Sequence, residues 1–150
     1  MKGYTLAAGL ILATASSLGQ TSTPKAADER PCISSTINYS TANVTQVKKN
    51  FLWTLQSDND GVMESCLAHI AQMRIMLPNE DMKEFDAMLN QLAINGRTQA
   101  IRYKAYLTTQ VFASPATFRH VAEVSYASGD EFFTAIATRL QQTVLGYQGR

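Results

Sequence analysis

The sequence predicts an all-α domain, and three features carry the prediction. Past residue 43, apolar side chains recur three or four apart in every long stretch. The stretches are separated by short clusters of Asn, Asp, Ser, Gly and Pro, which stop and restart helices. No alternating apolar and polar run bounded by hairpin turns occurs. The expected architecture is three antiparallel helical hairpins, six helices in all, occupying residues 44–146 with a short tail at 147–150.

The first helix is predicted from Val44, Val47, Phe51, Leu52 and Leu55, with Trp53 to the side, and it stops in Ser57-Asp58-Asn59-Asp60-Gly61. The second carries Val62, Cys66, Ile70, Met73 and Leu77 on its core side and ends at Pro78. Asn79 is placed as the N-cap of the third, with Glu80 and Asp81 suiting the positive end of its dipole. Phe85, Met88, Leu89 and Leu92 follow, closed by Asn95-Gly96. The fourth helix lies between Gly96 and Pro115. It is apolar on two sides, through Ile101, Ala105, Thr109 and Phe112 and through Tyr103, Leu107 and Val111, so it is expected to be central. Ser114-Pro115 reads as the start of a fifth helix reaching Ser125. Ser128 and Glu131 form a capping-box spacing that opens the last, with Phe132, Phe133, Ile136, Leu140 and Val144, ending near Gly146.

The N-terminal residues place the chain in a compartment. One basic residue, Lys2, precedes the short apolar run Thr5–Ala15, and small residues suited to cleavage lie at Ala15 and Gly19. That is the anatomy of a secretory signal peptide over residues 1–19. The run is well short of the ~20 residues that span a bilayer, so no membrane anchor is expected after cleavage. Residues 20–43 are polar and aperiodic and read as a flexible leader. The protein is expected to be exported, periplasmic or extracellular. Its formal charge is +1, from 13 basic against 12 acidic residues, and the charges are dispersed. Such a chain lacks the electrostatic footprint of a nucleic-acid binder.

Export exposes Cys32 and Cys66 to an oxidising space. A bridge between them would close a loop of about 35 residues, worth roughly 3–4 kcal/mol. The spacing does not supply the Cα separation that the bond requires, so bridged and free thiols both remain open.

A shift of about 40 residues lays Val62 on Ile101, Cys66 on Ala105, Ile70 on Thr109 and Met73 on Phe112. The residues that carry this echo are Asp58-Asn59-Asp60-Gly61-Val62-Met63 through Cys66-Leu67, and Gln99-Ala100-Ile101-Arg102 through Ala105-Tyr106. Over residues 44–113 the chain resembles the HEAT or armadillo-type helical repeats. Ile101-Arg102-Tyr103-Lys104-Ala105 fits the apolar–basic–small pattern of that family, whereas Val62-Met63-Glu64-Ser65-Cys66 lacks the basic residue. The resemblance implies stacked hairpins presenting a surface to a protein partner, and no chemistry. The architecture is thus a HEAT-like short solenoid or a compact helical bundle.

Residue type and spacing decide between the candidate sites. Asp58-Asn59-Asp60-Gly61 has part of a calcium loop, but the first and last ligand positions fall on Gln56 and Leu67, so helix capping by Asp58 or Asp60 is expected instead. Arg102 is expected to reach those aspartates. His69, His120 and Glu123 are the only set that would support a metal-binding protein or a small hydrolase, and they would have to converge in one pocket. No glycine-flanked serine elbow and no phosphate loop occurs. Arg97, Arg102, Tyr103, Lys104 and Tyr106 form a candidate interaction surface, tyrosine and arginine being favoured at hot spots. The sequence therefore points to a non-enzymatic interaction or scaffold module, without cofactor, acting on a protein partner or on a second copy of itself.

Overall fold

A computed structural model describes residues 32–35, 39 and 41–147. The expected signal peptide and residues 20–31 of the leader lie outside these. The described chain is all-α: α1 (Thr41–Thr54), α2 (Asp60–Met76), α3 (Lys83–Asn95), α4 (Gln99–Ala113), a 3-10 turn (Pro115–Phe118) running into the short α5 (Arg119–Ala122), and α6 (Gly129–Tyr147). Among the described residues the only β pairing is an isolated antiparallel bridge between Ile33 and Tyr126. No helix of these residues is long and apolar enough to cross a membrane.

The centre of the fold is α2 together with the expected α4. From Met63 to Ile75, nine side chains of α2 are buried, leaving the side of Val62, Ser65 and His69 the less covered one, and the helix touches α1, α4, α5 and α6. The stretch Cys66–Ile75 alternates bulky apolar residues with Ala68 and Ala71, and those alanines allow neighbouring helices to approach. A helix buried over so wide a face is a core helix. The expected core position Val62 is exposed and Met63 is buried in its place. The second rod is α4, packed between α2 and α3. Leu107 and Val111 are buried as expected, but the inward row runs through Ile101, Lys104, Ala105 and Thr108 instead of Thr109, and Tyr103 faces out. Thr108 is tolerated in the core because its hydroxyl donates to the Lys104 carbonyl at 2.9 Å.

Helix starts follow local hydrogen bonding. Asn59, not either aspartate, caps α2, its Oδ1 accepting from Val62 N at 3.1 Å. Thr98 caps α4 by accepting from Ile101 N at 3.1 Å. For α6, Ser128 Oγ accepts from Glu131 N and Glu131 Oε2 accepts from Ala127 N, so the capping box closes one residue further back than the usual form. The expected cap at Asn79 is not used. The guanidinium of Arg74 holds the carbonyls of Pro78 and Glu80, each at 3.1 Å, and Lys48 holds that of Asp81 at 2.7 Å. With those carbonyls engaged, residues 78–82 form a turn, and α3 begins at Lys83, where Asp81 Oδ1 accepts the backbone N–H. The expected fifth helix is likewise cut to one 3-10 turn and one α turn, since proline starts it but Ser114 makes no side-chain cap.

The leader is anchored near its end. Ile33 is fully buried and exchanges two backbone hydrogen bonds with Tyr126, at 3.2 and 2.9 Å. Gln72 Nε2 donates to Ser34 O at 2.6 Å, and Ser35 bonds Ser125. Helix α1 then begins at Thr41, ahead of the expected Val44. The end of the leader is therefore part of the fold at residues 32–35, because an isoleucine there fills the core beside α6.

Gly96 sits where the α3–α4 hairpin closes. A Cβ at this position would lie 2.6 Å from Leu92 O and 2.8 Å from Ile101 Cγ2. Gly96→Ala is expected to lower the unfolding free energy by about 2 kcal/mol, the scale of overpacking a tight site. Urea titration of both proteins checks this; equal midpoints would mean the hairpin yields without strain.

Candidate functional site

The expected interaction surface divides when its residues are placed. Arg97 is committed to the α1–α2 turn: Nη2 lies 2.7 Å from Asp60 Oδ1, Nη1 lies 3.3 Å from Asp58 Oδ1, and Nη2 also donates to Ser57 O. It takes the role expected of Arg102, whose own Nη1 donates to Gly96 O at 2.7 Å. Arg97 precedes α4 and reaches across to the α1–α2 turn, whereas Arg102, in the first turn of α4, reaches back only to the end of α3. Lys104 is only 9% exposed, and its Nζ lies 2.5 Å from both Glu64 Oε2 of α2 and Asp130 Oδ1 of α6, with the Phe133 ring at 5.9 Å. It is a buried tie between three helices, not a surface cation. Burial pulls the pKa of Lys104 down, but the hydrogen bonds it donates to Asp130 and Glu64 outweigh it and leave the value raised.

What remains on the surface is the outward row of α4. Gln99, Tyr103 and Tyr106 are exposed and Gln110 is half-buried, spaced three or four apart along the helix. Tyr103 is 52% and Tyr106 46% exposed. No charged residue lies in this row. Beside it runs a groove of about 550 Å³ between α4 and α6, lined by Ala100, Tyr103, Ala137, Thr138 and Gln141 and closed at one end by the Lys104 cluster. The same face of α6 continues past the groove into Val144 and Leu145, both exposed.

The residues of the metal or hydrolase alternative do not converge. His69 lies in the α1–α2 groove with its ring parallel to that of Phe51. His120 is exposed on α5 and pairs with Glu123 alone, Nδ1 to Oε2 at 3.0 Å. Among the described residues no group of three or more His, Cys, Asp and Glu side chains is placed to hold a metal. Nor are the cysteines joined. Cys66 is buried against α1, its thiol donating to Phe51 O at 3.6 Å, while Cys32 is exposed beside Ser128 and Gly129 at the start of α6. Burial pushes the Cys66 thiol up to about 12, the opposite of what a nucleophile needs.

These shifts make stability depend on pH in a definite way. Burial holds the His69 imidazole below its ordinary value of 6.5, with a hydrogen bond to the Gln72 carboxamide acting against it. A depressed base stabilises the fold above its unfolded value, and that contribution is lost as pH falls through the folded one. Burial raises Cys66 from 9.0 and Tyr39 from 10.0, each to about 12, and Lys48 is raised by the hydrogen bond it donates to Glu80. Raised groups stabilise fully below their unfolded values and lose the contribution as pH rises through the folded ones. Stability should therefore be flat between about pH 7 and pH 9 and fall on both sides. Urea midpoints across that range check the shape. His69→Gln should flatten the acid limb and Cys66→Ala the first part of the alkaline limb.

The burial of Lys104 is the principal feature missed in the sequence. Its signal was available, since position 104 falls on the row of Ile101, Ala105 and Thr108; what misleads is its residue type. No protein-family model matches the chain, and neither a curated protein nor a solved structure matches it.

Proposed function

We propose that this chain is an exported, non-enzymatic docking module that engages a protein partner, or a second copy of itself, through the outward row of α4. One observation carries the reading: the exposed stripe of a well-packed helix presents two tyrosines flanked by glutamines and no charge. Tyrosine supplies a large contact area with little side-chain entropy to lose, and the lack of charge within the row keeps the desolvation cost of docking low. Behind the row, α4 packs on both α2 and α3, which supports a rigid, pre-organised face. The side-by-side placement of α2 and α4 is also the arrangement that a HEAT-like stack of two hairpins would use.

A photo-crosslinking residue at position 106, with a control at the exposed Gln91 of α3, tests this in cells that export the protein. A discrete adduct from position 106, missing from position 91 and lost on Tyr103→Ala, is the expected result. An adduct of twice the chain mass would identify self-association. A solitary chain at both positions, together with a monomer by sedimentation, would overturn the reading.

A further inference from the structure

A second site lies on the opposite flank of α2, independent of the α4 face. Between α1 and the first half of α2 is a depression of about 430 Å³ lined by Phe51, Thr54, Val62, Ser65, Cys66 and His69. Its size falls in the range of small-molecule sites. No Asp, Glu, Lys or Arg lines it, whereas four other depressions among the described residues carry such side chains. The rings of Phe51 and His69 lie in nearly parallel planes, 6° apart, with centroids 6.4 Å from one another. Rings in full face contact would be much closer, so at this separation each keeps aromatic face uncovered by the other. The small residues Gly61 and Ser65 keep the α2 side open, and the Ser65 hydroxyl at the rim has no partner among the described residues. Cys66 offers no competing chemistry, since its proton is directed at the Phe51 carbonyl.

We propose that the α1–α2 groove binds an uncharged planar aromatic molecule carrying one hydrogen-bonding group, its ring against Phe51 and His69 and its polar atom toward Ser65. Charged analogues are disfavoured because nothing in the lining offsets the desolvation of an ion. Exposed Val62 forms the outer wall. It stands three residues after the N-cap Asn59, where glutamate suits a helix start, so Val62→Glu should leave the fold intact while placing a charge in the wall.

Indole is a suitable probe, with indole-3-acetate and tryptamine as its charged counterparts. Amide chemical shifts of the 15N-labelled full chain, followed on titration with indole, should saturate and be confined to residues around Phe51 and Val62–His69. Both charged analogues should bind at least about tenfold weaker, and Val62→Glu should weaken indole by a similar factor. Saturating indole should also move the His69 titration midpoint downward, since a ring seated on the imidazole buries it further. Shifts that rise linearly without saturating, or spread evenly over the chain, would overturn the proposal. So would equal binding of the charged analogues, an unmoved His69, or a folded Val62→Glu protein that binds indole as well as the parent.

Discussion

Truncating Lys104 to alanine is expected to lower the unfolding free energy by about 3 kcal/mol, at the low end for removing one partner of a buried ion pair. The cost has two parts. The aliphatic stem of Lys104 crosses the space between α2, α4 and α6 and packs near Phe133, so its loss leaves a void. Glu64, a quarter exposed, would keep its charge in a partly desolvated place without a counter-ion. Asp130 contributes little, because its side chain is 79% exposed and water can replace the ammonium. The parts are separable. Lys104→Met keeps the stem and removes the charge, and adding Glu64→Leu should recover most of the loss, since hydrophobic replacement of a buried pair is often neutral or better. Chemical denaturation of the two single variants and the double variant gives the coupling. If Lys104→Met alone matched the parent, the cluster would be a surface ion pair in energetic terms. Wild-type protein should also lose this contribution only as pH rises past the ordinary lysine range, because the folded value is raised.

Phe132→Ala is expected to be the more damaging of the two, at about 4 kcal/mol for removing a fully buried aromatic ring. Phe132 is the hinge of the region where the leader, the α5–α6 loop and α6 meet. Its ring stands edge-on to Tyr126, centroids 5.5 Å apart, and to Phe133 at 5.8 Å. Tyr126 in turn holds Ile33 by two backbone hydrogen bonds and donates its hydroxyl to Val121 O. Loss of the ring should therefore be felt beyond α6. Amide exchange at Ile33 and Tyr126 should accelerate relative to the α3–α4 hairpin, which does not contain these contacts. A uniform acceleration would show that the leader is not held through Phe132. Phe132→Leu, which keeps most of the volume, should cost about 1 kcal/mol.

The proposed interaction row and the proposed ligand groove differ in how much of each could be read from residue order. Tyr103 and Tyr106 were recognisable because aromatic residues on a helix beside basic ones suggest a contact surface. All three of their expected companions, Arg97, Arg102 and Lys104, are spent on internal ties, though, and the partners of each could not be read from residue type. Arg97 and Arg102 are five residues apart and both basic. Only the path of the α3–α4 turn directs the first to Asp58 and Asp60 and the second to the Gly96 carbonyl. The α1–α2 groove had no sequence signature, because Phe51 and His69 belong to different helices and become neighbours only through the hairpin's packing angle.

Helix content, most helix boundaries, the buried faces of Leu107, Val111, Ile136 and Phe85, and the start of α6 were all determined by local order. They depend on periodicity and on caps that act within one turn. The tertiary structure decided what local order cannot encode: that α2 shares the centre with α4, that Lys104 is inside, that Ile33 is stitched to Tyr126, and that Arg74 turns a promising cap at Asn79 into a loop. Each of these joins residues at least four positions apart through a contact whose worth depends on what else is near. A lysine is solvated by default, and it goes inside only where two carboxylates from other helices meet it.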